Sequence, residues 1–167
     1  MDAYSSIISR RSIRKYKSDM PDLELVMKVV DAGRMAPSGM NTQKWHFTVV
    51  LGKERIMEIS RFILKEEKSI CYDAPVFIMV SYEKDDYFAR EDTSCALTNM
   101  MQASHALGLG SVWINAINRS GEKAERMQSF SVPEGYRVYG ALALGYPDGE
   151  VRERDLKAAD TIVSILK

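Results

Sequence analysis

The stretch from Pro75 to Ser81, Pro-Val-Phe-Ile-Met-Val-Ser, constrains this chain more than any other. It is short and almost continuously apolar. A run of that length suits a central strand buried on both faces, because a half-exposed strand alternates with polar residues and a helix needs more length. Such a strand needs cover above and below, so the rest of the chain has to supply helices for two sides of a sheet.

The flanking segments read accordingly. Ala3 to Ser9 is a short helix and Arg10 to Tyr16 is extended. Pro21, with Asp22 and Glu24, opens a helix, since proline fits the first turn and acids suit its dipole. Leu23, Val26, Met27 and Val30 carry that helix to about Met35. Ala36 to Lys44 is a loop punctuated by Pro37, Ser38, Gly39 and Asn41. Trp45 to Leu51 is a strand and Lys53 to about Lys65 a helix. Thr93 to Leu107 is helical, with Ala96, Met100, Ala103 and Leu107 on one stripe whose small residues admit a second helix closely. Gly108 to Ile114 reads as turn and strand, Gly121 to Phe130 as a helix, and Arg137 to Leu144 as a strand. The β-branched end of the Asp155–Lys167 tail either closes the sheet of its own subunit or reaches across to a partner. The sum is an α+β fold, a mixed central β-sheet flanked by helices, in a single domain spanning residues 1–167.

Charge and cysteine usage narrow the classes of function. Lys plus Arg number 23 and Asp plus Glu number 23, so a nucleic-acid binder's electrostatic footprint is missing. No apolar run approaches the roughly 20 residues that span a bilayer. Met1-Asp2-Ala3-Tyr4 lacks the basic-then-apolar order of a signal peptide. Cys71 and Cys95 stand far apart, and His46 and His105 are isolated, so the reading is structural thiols in a reducing cytoplasm and no metal site.

Four segments carry candidate chemistry. In Arg10-Arg11-Ser12-Ile13-Arg14, extended backbone puts Arg10, Ser12 and Arg14 on one face, either a clamp for a phosphate or a solvated basic face. The loop Ala36-Pro37-Ser38-Gly39-Met40-Asn41-Thr42-Gln43-Lys44 offers a hydroxyl, two amides and close backbone approach at Gly39. It either holds a polar ligand or simply turns helix into strand. Gly108-Leu109-Gly110-Ser111-Val112-Trp113-Ile114-Asn115-Ala116 leads two glycines into a strand, to receive a flat ring or to pack; a lone GxG is a weak nucleotide signal. Finally Gly145-Tyr146-Pro147 precedes Arg152 and Arg154, which either join Arg10 around a phosphate or belong to a solvated loop.

In this order, over Arg10 to Arg154, the four segments resemble the nitroreductase family of FMN-dependent oxidoreductases. The Arg-Arg-Ser-Ile-Arg and Ala-Pro-Ser-Gly-Met-Asn-Thr-Gln-Lys-Trp segments are the most specific parts. The resemblance implies a homodimer with two FMN sites built from both subunits, its tails embracing the partner. It implies that Arg10, Arg11 and Ser12 hold the phosphate and ribityl chain, with Arg14 near the N1/C2 edge of the isoalloxazine. Pro37, Ser38, Gly39 and Asn41 would come from the other subunit. Trp113, Ile114, Asn115 and Ala116 would pass the ring, a backbone N–H at Asn115 or Ala116 directed at N5. Arg154, with Arg152, would complete the phosphate site. The cofactor carries the redox chemistry, so no catalytic side chain is assigned. NAD(P)H would reduce the flavin and leave, and a small acceptor such as a nitroaromatic or quinone would follow in a ping-pong cycle.

Three departures from the family pattern stand out. Lys44 takes the place where proline often precedes the tryptophan, the chain is short, and Asn115-Ala116 replaces an acidic residue and a glycine. A more open, less selective pocket is the expectation. Arg90, Lys84 and Lys123 are the exposed candidates for a 2′-phosphate contact. The other readings are a flavin-binding or storage protein with little turnover, and a specialised branch such as a reductive dehalogenase.

Overall fold

The computed structural model describes residues 2–151, 153–158 and 161–166. Helix α1 (Ala3–Ser9) is followed by an extended strap to Tyr16, then α2 (Leu23–Arg34), β1 (Trp45–Leu51) and α3 (Lys53–Leu64). Strand β2 (Val76–Glu83), α4 (Ala89–Ala106), β3 (Gly110–Ile114) and β4 (Tyr136–Gly145) complete the order. The sheet runs β1-β2-β4-β3. Its four strands pair antiparallel throughout, and the parallel component of the expected mixed sheet enters only as a bridge between Ser12 of the strap and Ser111.

The apolar run does what its composition requires. Seven of the eight residues of β2 are buried, and the strand sits between β1 and β4. Its side chains divide by the two-residue period of a strand. Val76, Ile78 and Val80 pack with Val26, Val29 and Val30 of α2 and with Ala96, Leu97 and Met100 of α4. Phe77 and Met79 face the other way, onto Ile56, Ile59 and Ile63 of α3 and onto Ile117 and Met127. Each fully buried aliphatic side chain contributes about 1.5–3 kcal/mol, so the two clusters supply the main driving force of folding.

Two expectations change, the start of α4 and the helix at residues 121–130. Helix α4 begins at Ala89, four residues before Thr93, because Ala89 and Asp92 are buried rather than solvated. Residues Gly121 to Phe130 form no α-helix. Two 3₁₀ turns, Asn118–Glu125 and Gln128–Phe130, occupy the segment, broken where Gly121 adopts φ 64°, ψ −131°. Arg137 holds this stretch by donating to the carbonyls of Asn118 and Gly121 and to Glu125. The tail adds no strand to its own sheet among the described residues, and Leu156, Ile162, Val163, Ile165 and Leu166 are exposed. No helix among the described residues is long and apolar enough to cross a membrane.

Candidate cofactor site

The strap is fastened along the β3 side of the sheet and then past the end of β4. Ile13 N–H donates to the Ser111 carbonyl at 3.0 Å, Lys17 N–H to that of Tyr146 at 3.0 Å, and Asp148 N–H to that of Lys15 at 3.0 Å. Gly110 makes this approach possible, since a Cβ there would stand 2.8 Å from Ile13. Between the strap and residues 147–151, 153 and 154 lies a groove of about 950 Å³, lined by Arg10, Arg11, Ser12, Arg14, Pro147 and Arg154, with Asp148, Glu150 and Glu153 also on its wall. The sequence-predicted basic residues Arg10, Arg11, Arg14 and Arg154 and the hydroxyl of Ser12 therefore share one place. Arg152 lies outside the described residues.

The electrostatics of the groove centre on Arg10. Its Nη1 is buried with no hydrogen-bond partner among the described residues. Burial, then the charges of Arg154 and Arg11, lower its pKa from the ordinary guanidinium value. Burying an unpaired cationic donor beside two like charges is costly, and an anion with several acceptor oxygens removes the cost. Arg11 instead folds back, donating to the carbonyls of Ile8 and Arg10 at 2.8 and 2.9 Å. Arg14 lies over the Tyr72 ring, 5.9 Å from its centroid. His105, 2.8 Å from Ser9 Oγ, closes the back of the strap; burial and the neighbouring Arg10 and Arg11 lower its pKa. The residues present thus fit a phosphate group.

The second segment is built differently. Met40, Asn41 and Gln43 all carry φ between 50° and 57°, a region that costs non-glycine residues on the order of 1 kcal/mol each. The polar groups of this loop are largely consumed internally. Ser38 Oγ accepts from Gln43 N–H at 3.2 Å, and Asn41 Oδ1 accepts from the Gln43 amide at 2.9 Å. Gly39 sits against the Phe88 ring so closely that a Cβ would come within 2.4 Å. Lys44, the family's usual proline position, pairs with Glu83 at 2.8 Å and Asp86 at 3.0 Å, an anchor that sequence inspection missed because its partners lie forty residues on.

No hydrogen bond or ion pair joins strap and loop among the described residues. Helix α1, which leads into the strap, is tied to the C-terminal end of α4 through Ser6–Gln102 and Ser9–His105, whereas Gly39 N–H bonds Asp92 at its N-terminal end. Thirteen residues of helix separate Asp92 from His105, roughly 20 Å. The third segment also resolves into parts. Trp113 is half-buried, its indole Nε1 beside Gly140 and without a partner among the described residues, and the Ile114 side chain is core. Asn115 and Ala116 are exposed just past the strand end. Of the proposed 2′-phosphate contacts, Lys84 pairs with Glu125 and Lys123 donates to the Ile63 carbonyl, while Arg90 borders a separate hollow with Arg137 and Tyr139.

An antiparallel sheet clad by helices on both faces, with a basic strap along one edge and a strained polar loop, defines a protein of the nitroreductase fold. The comparisons agree. The sequence pattern described as the Nitroreductase family matches residues 7–70 and 61–146. A Methanothermobacter thermautotrophicus protein with the provisional name NADH dehydrogenase/NAD(P)H nitroreductase is 36% identical over 166 residues, covering 97% of this chain and 86% of that one. An iodotyrosine deiodinase of Thermotoga neapolitana is 27% identical over 169 residues, 87% of this chain and 88% of its own. Among solved structures, a nitroreductase with bound FMN from Bacteroides fragilis superposes with a TM-score of 0.87 at 30% identity, covering 100% of both chains. The chain belongs to the nitroreductase family.

Proposed function

We propose that the chain is an FMN-dependent NAD(P)H oxidoreductase, a cytoplasmic homodimer that passes electrons to a small acceptor such as a nitroaromatic or quinone. The observation that carries this reading is the buried, unpartnered Arg10 Nη1 beside Arg11 and Arg154. A phosphate monoester satisfies it with charge-assisted hydrogen bonds, each contributing about 1.5–3 kcal/mol. Arg10, Ser12 and Arg154 hold that phosphate, and Arg11 joins them by releasing the carbonyls of Ile8 and Arg10. When bound, FMN supplies the hydride and electron chemistry. Arg14 provides a cation where negative charge gathers on reduction, and Asn115 or Ala116 offers a backbone N–H to the ring. Donor and acceptor occupy the same face in turn.

The roughly 20 Å of α4 between the anchor of the loop at Asp92 and the anchor of α1 at His105 supports a site completed by a second copy. A two-fold axis brings each subunit's Pro37, Ser38, Gly39 and Asn41 to the other's strap. Exposed apolar side chains on α1 (Tyr4, Ile7, Ile8) and one turn apart on α2 (Leu23, Met27) supply a surface for that contact, and the tail reaches over the partner. The free cysteines Cys71 and Cys95 suit a reducing compartment. The similarity to iodotyrosine deiodinase supports reductive dehalogenation as a second reading. The link between β2 and α4, only Lys84 to Phe88, leaves little chain for extra substrate elements and favours the first.

The test is the visible spectrum of the purified protein, repeated after excess FMN and gel filtration. Flavin bands at about one FMN per subunit in a dimer-sized peak, bleached by NADH or NADPH, are the expected result. A colourless protein that retains no FMN overturns the reading.

A further inference from the structure

Asp92 is 4% exposed, yet neither the groove nor any ion pair among the described residues uses its carboxylate. A carboxylate this buried requires dedicated donors. It has two: Gly39 N–H donates to Oδ1 at 2.9 Å, and the Tyr82 hydroxyl donates to Oδ2 at 2.7 Å. Tyr82 is itself fully buried, and Thr42 Oγ1 lies 3.0 Å from its hydroxyl. Because Tyr82 gives its single proton to Asp92, Thr42 is the donor in that pair. The carboxylate therefore reaches the loop twice, directly at Gly39 and through Tyr82 at Thr42. These two points bracket Met40 and Asn41, both in the left-handed region. Asp92 lies inside the first turn of α4 but bonds no helix N–H with its side chain in doing this, so capping does not explain it.

We propose that Asp92 is a positioning residue for the cofactor site: with Tyr82 it clamps Gly39 and Thr42 and so holds Ser38 and Asn41 in the arrangement that meets the partner subunit's FMN. The inference rests on the FMN reading above and deepens it. The backbone conformation at Met40 and Asn41 is unfavourable in isolation, so the loop keeps it only while both ends are held. Releasing one end lowers the fraction of binding-competent loop, and apparent affinity falls by that same fraction.

The experiment titrates FMN into the FMN-free full-length protein, read by quenching of flavin fluorescence. Asp92→Ala should weaken FMN binding about tenfold, with the dimer peak and far-UV circular dichroism retained and exchange of the Gly39 amide accelerated. Asp92→Asn should recover part of the loss, because its amide oxygen still accepts from Gly39 N–H. Tyr82→Phe keeps the buried ring and should cost about threefold, and it decides the matter if Asp92→Ala does not fold. Ser60→Ala, which removes a buried hydroxyl serving Ile56 and Ile70 beside α3, is the stability control. Unchanged FMN affinity in folded Asp92→Ala or Tyr82→Phe overturns the proposal, as does an equal loss in Ser60→Ala at a matched drop in melting temperature. Wild-type protein that takes up no FMN is a separate result: it overturns the FMN reading itself, and this inference with it.

Discussion

The strap and the loop, the two candidate binding segments, have opposite economies of hydrogen bonding. Along the strap the backbone is tied at Ile13 to Ser111 and at Lys17 to Tyr146, while Arg10 Nη1 is left without an acceptor among the described residues. Along residues 38–44 the polar groups are spent on each other and on Asp92, Tyr82, Glu83 and Asp86, while the backbone is strained. The first region is electrostatically incomplete until an anion arrives, and the second is complete beforehand. A site made of both gains its affinity at the strap and its precision of placement at the loop.

That contrast breaks most readily at Arg10. Arg10→Ala should weaken FMN binding about 100-fold, the effect of losing a buried charge-assisted contact, in a fluorescence titration. The same variant should leave the melting temperature of the FMN-free protein unchanged or higher, because an uncompensated buried charge disappears; a clear fall would mean the strap is structural. Gly39→Ala attacks the other region. Its Cβ meets Phe88 ring atoms at 2.4–2.7 Å, so folding stability should drop by about 1–3 kcal/mol in urea titration.

Smaller effects sharpen the comparison. Lys44 is held by hydrogen bonds to Glu83 and then Asp86, which raise its pKa, but the pair is partly solvated. Lys44→Met should lower the melting temperature slightly at low salt, and the difference from wild type should vanish near 1 M NaCl, where such pairs are screened. The smallest effect concerns His105. Its pKa is lower in the folded state than in the unfolded chain, so the unfolded state binds more protons in acid. Its contribution is therefore present above the unfolded value of about 6.5 and lost as pH falls below it. His105→Gln should flatten the fall in melting temperature of the FMN-free protein between about pH 7.5 and 5.5, measured by differential scanning fluorimetry.

Much of this was legible in the chain, and the parts that were not share a cause. Helix α1 and strand β1 occupy the predicted residues, because their signals are local: an Asp2 side chain bonding Ser5 N–H, and a β-rich run ending at Gly52. The double burial of β2 followed from its composition alone. The start of α4 was hidden because Arg90, Glu91 and Asp92 carry no apolar periodicity, and only the folded loop and Tyr82 provide the donors that bury Asp92. Residues 121–130 carry helical composition, yet Arg137, distant in sequence, pins them into 3₁₀ turns. Trp113 turned inward because Gly140 on the neighbouring strand leaves room for its indole.

By itself, then, the sequence determined the central strand, the order of the strands and of α1 to α4, and the residue types of the two candidate binding segments, since periodicity, turn chemistry and charge act over a few residues. Only the tertiary structure decided that Arg10 Nη1 is buried without a partner among the described residues, that Asp92 and Lys44 anchor the loop, and that α1 and the loop are tied to opposite ends of α4. Those facts depend on groups brought together from far apart in the chain, and no local pattern encodes a distance between them.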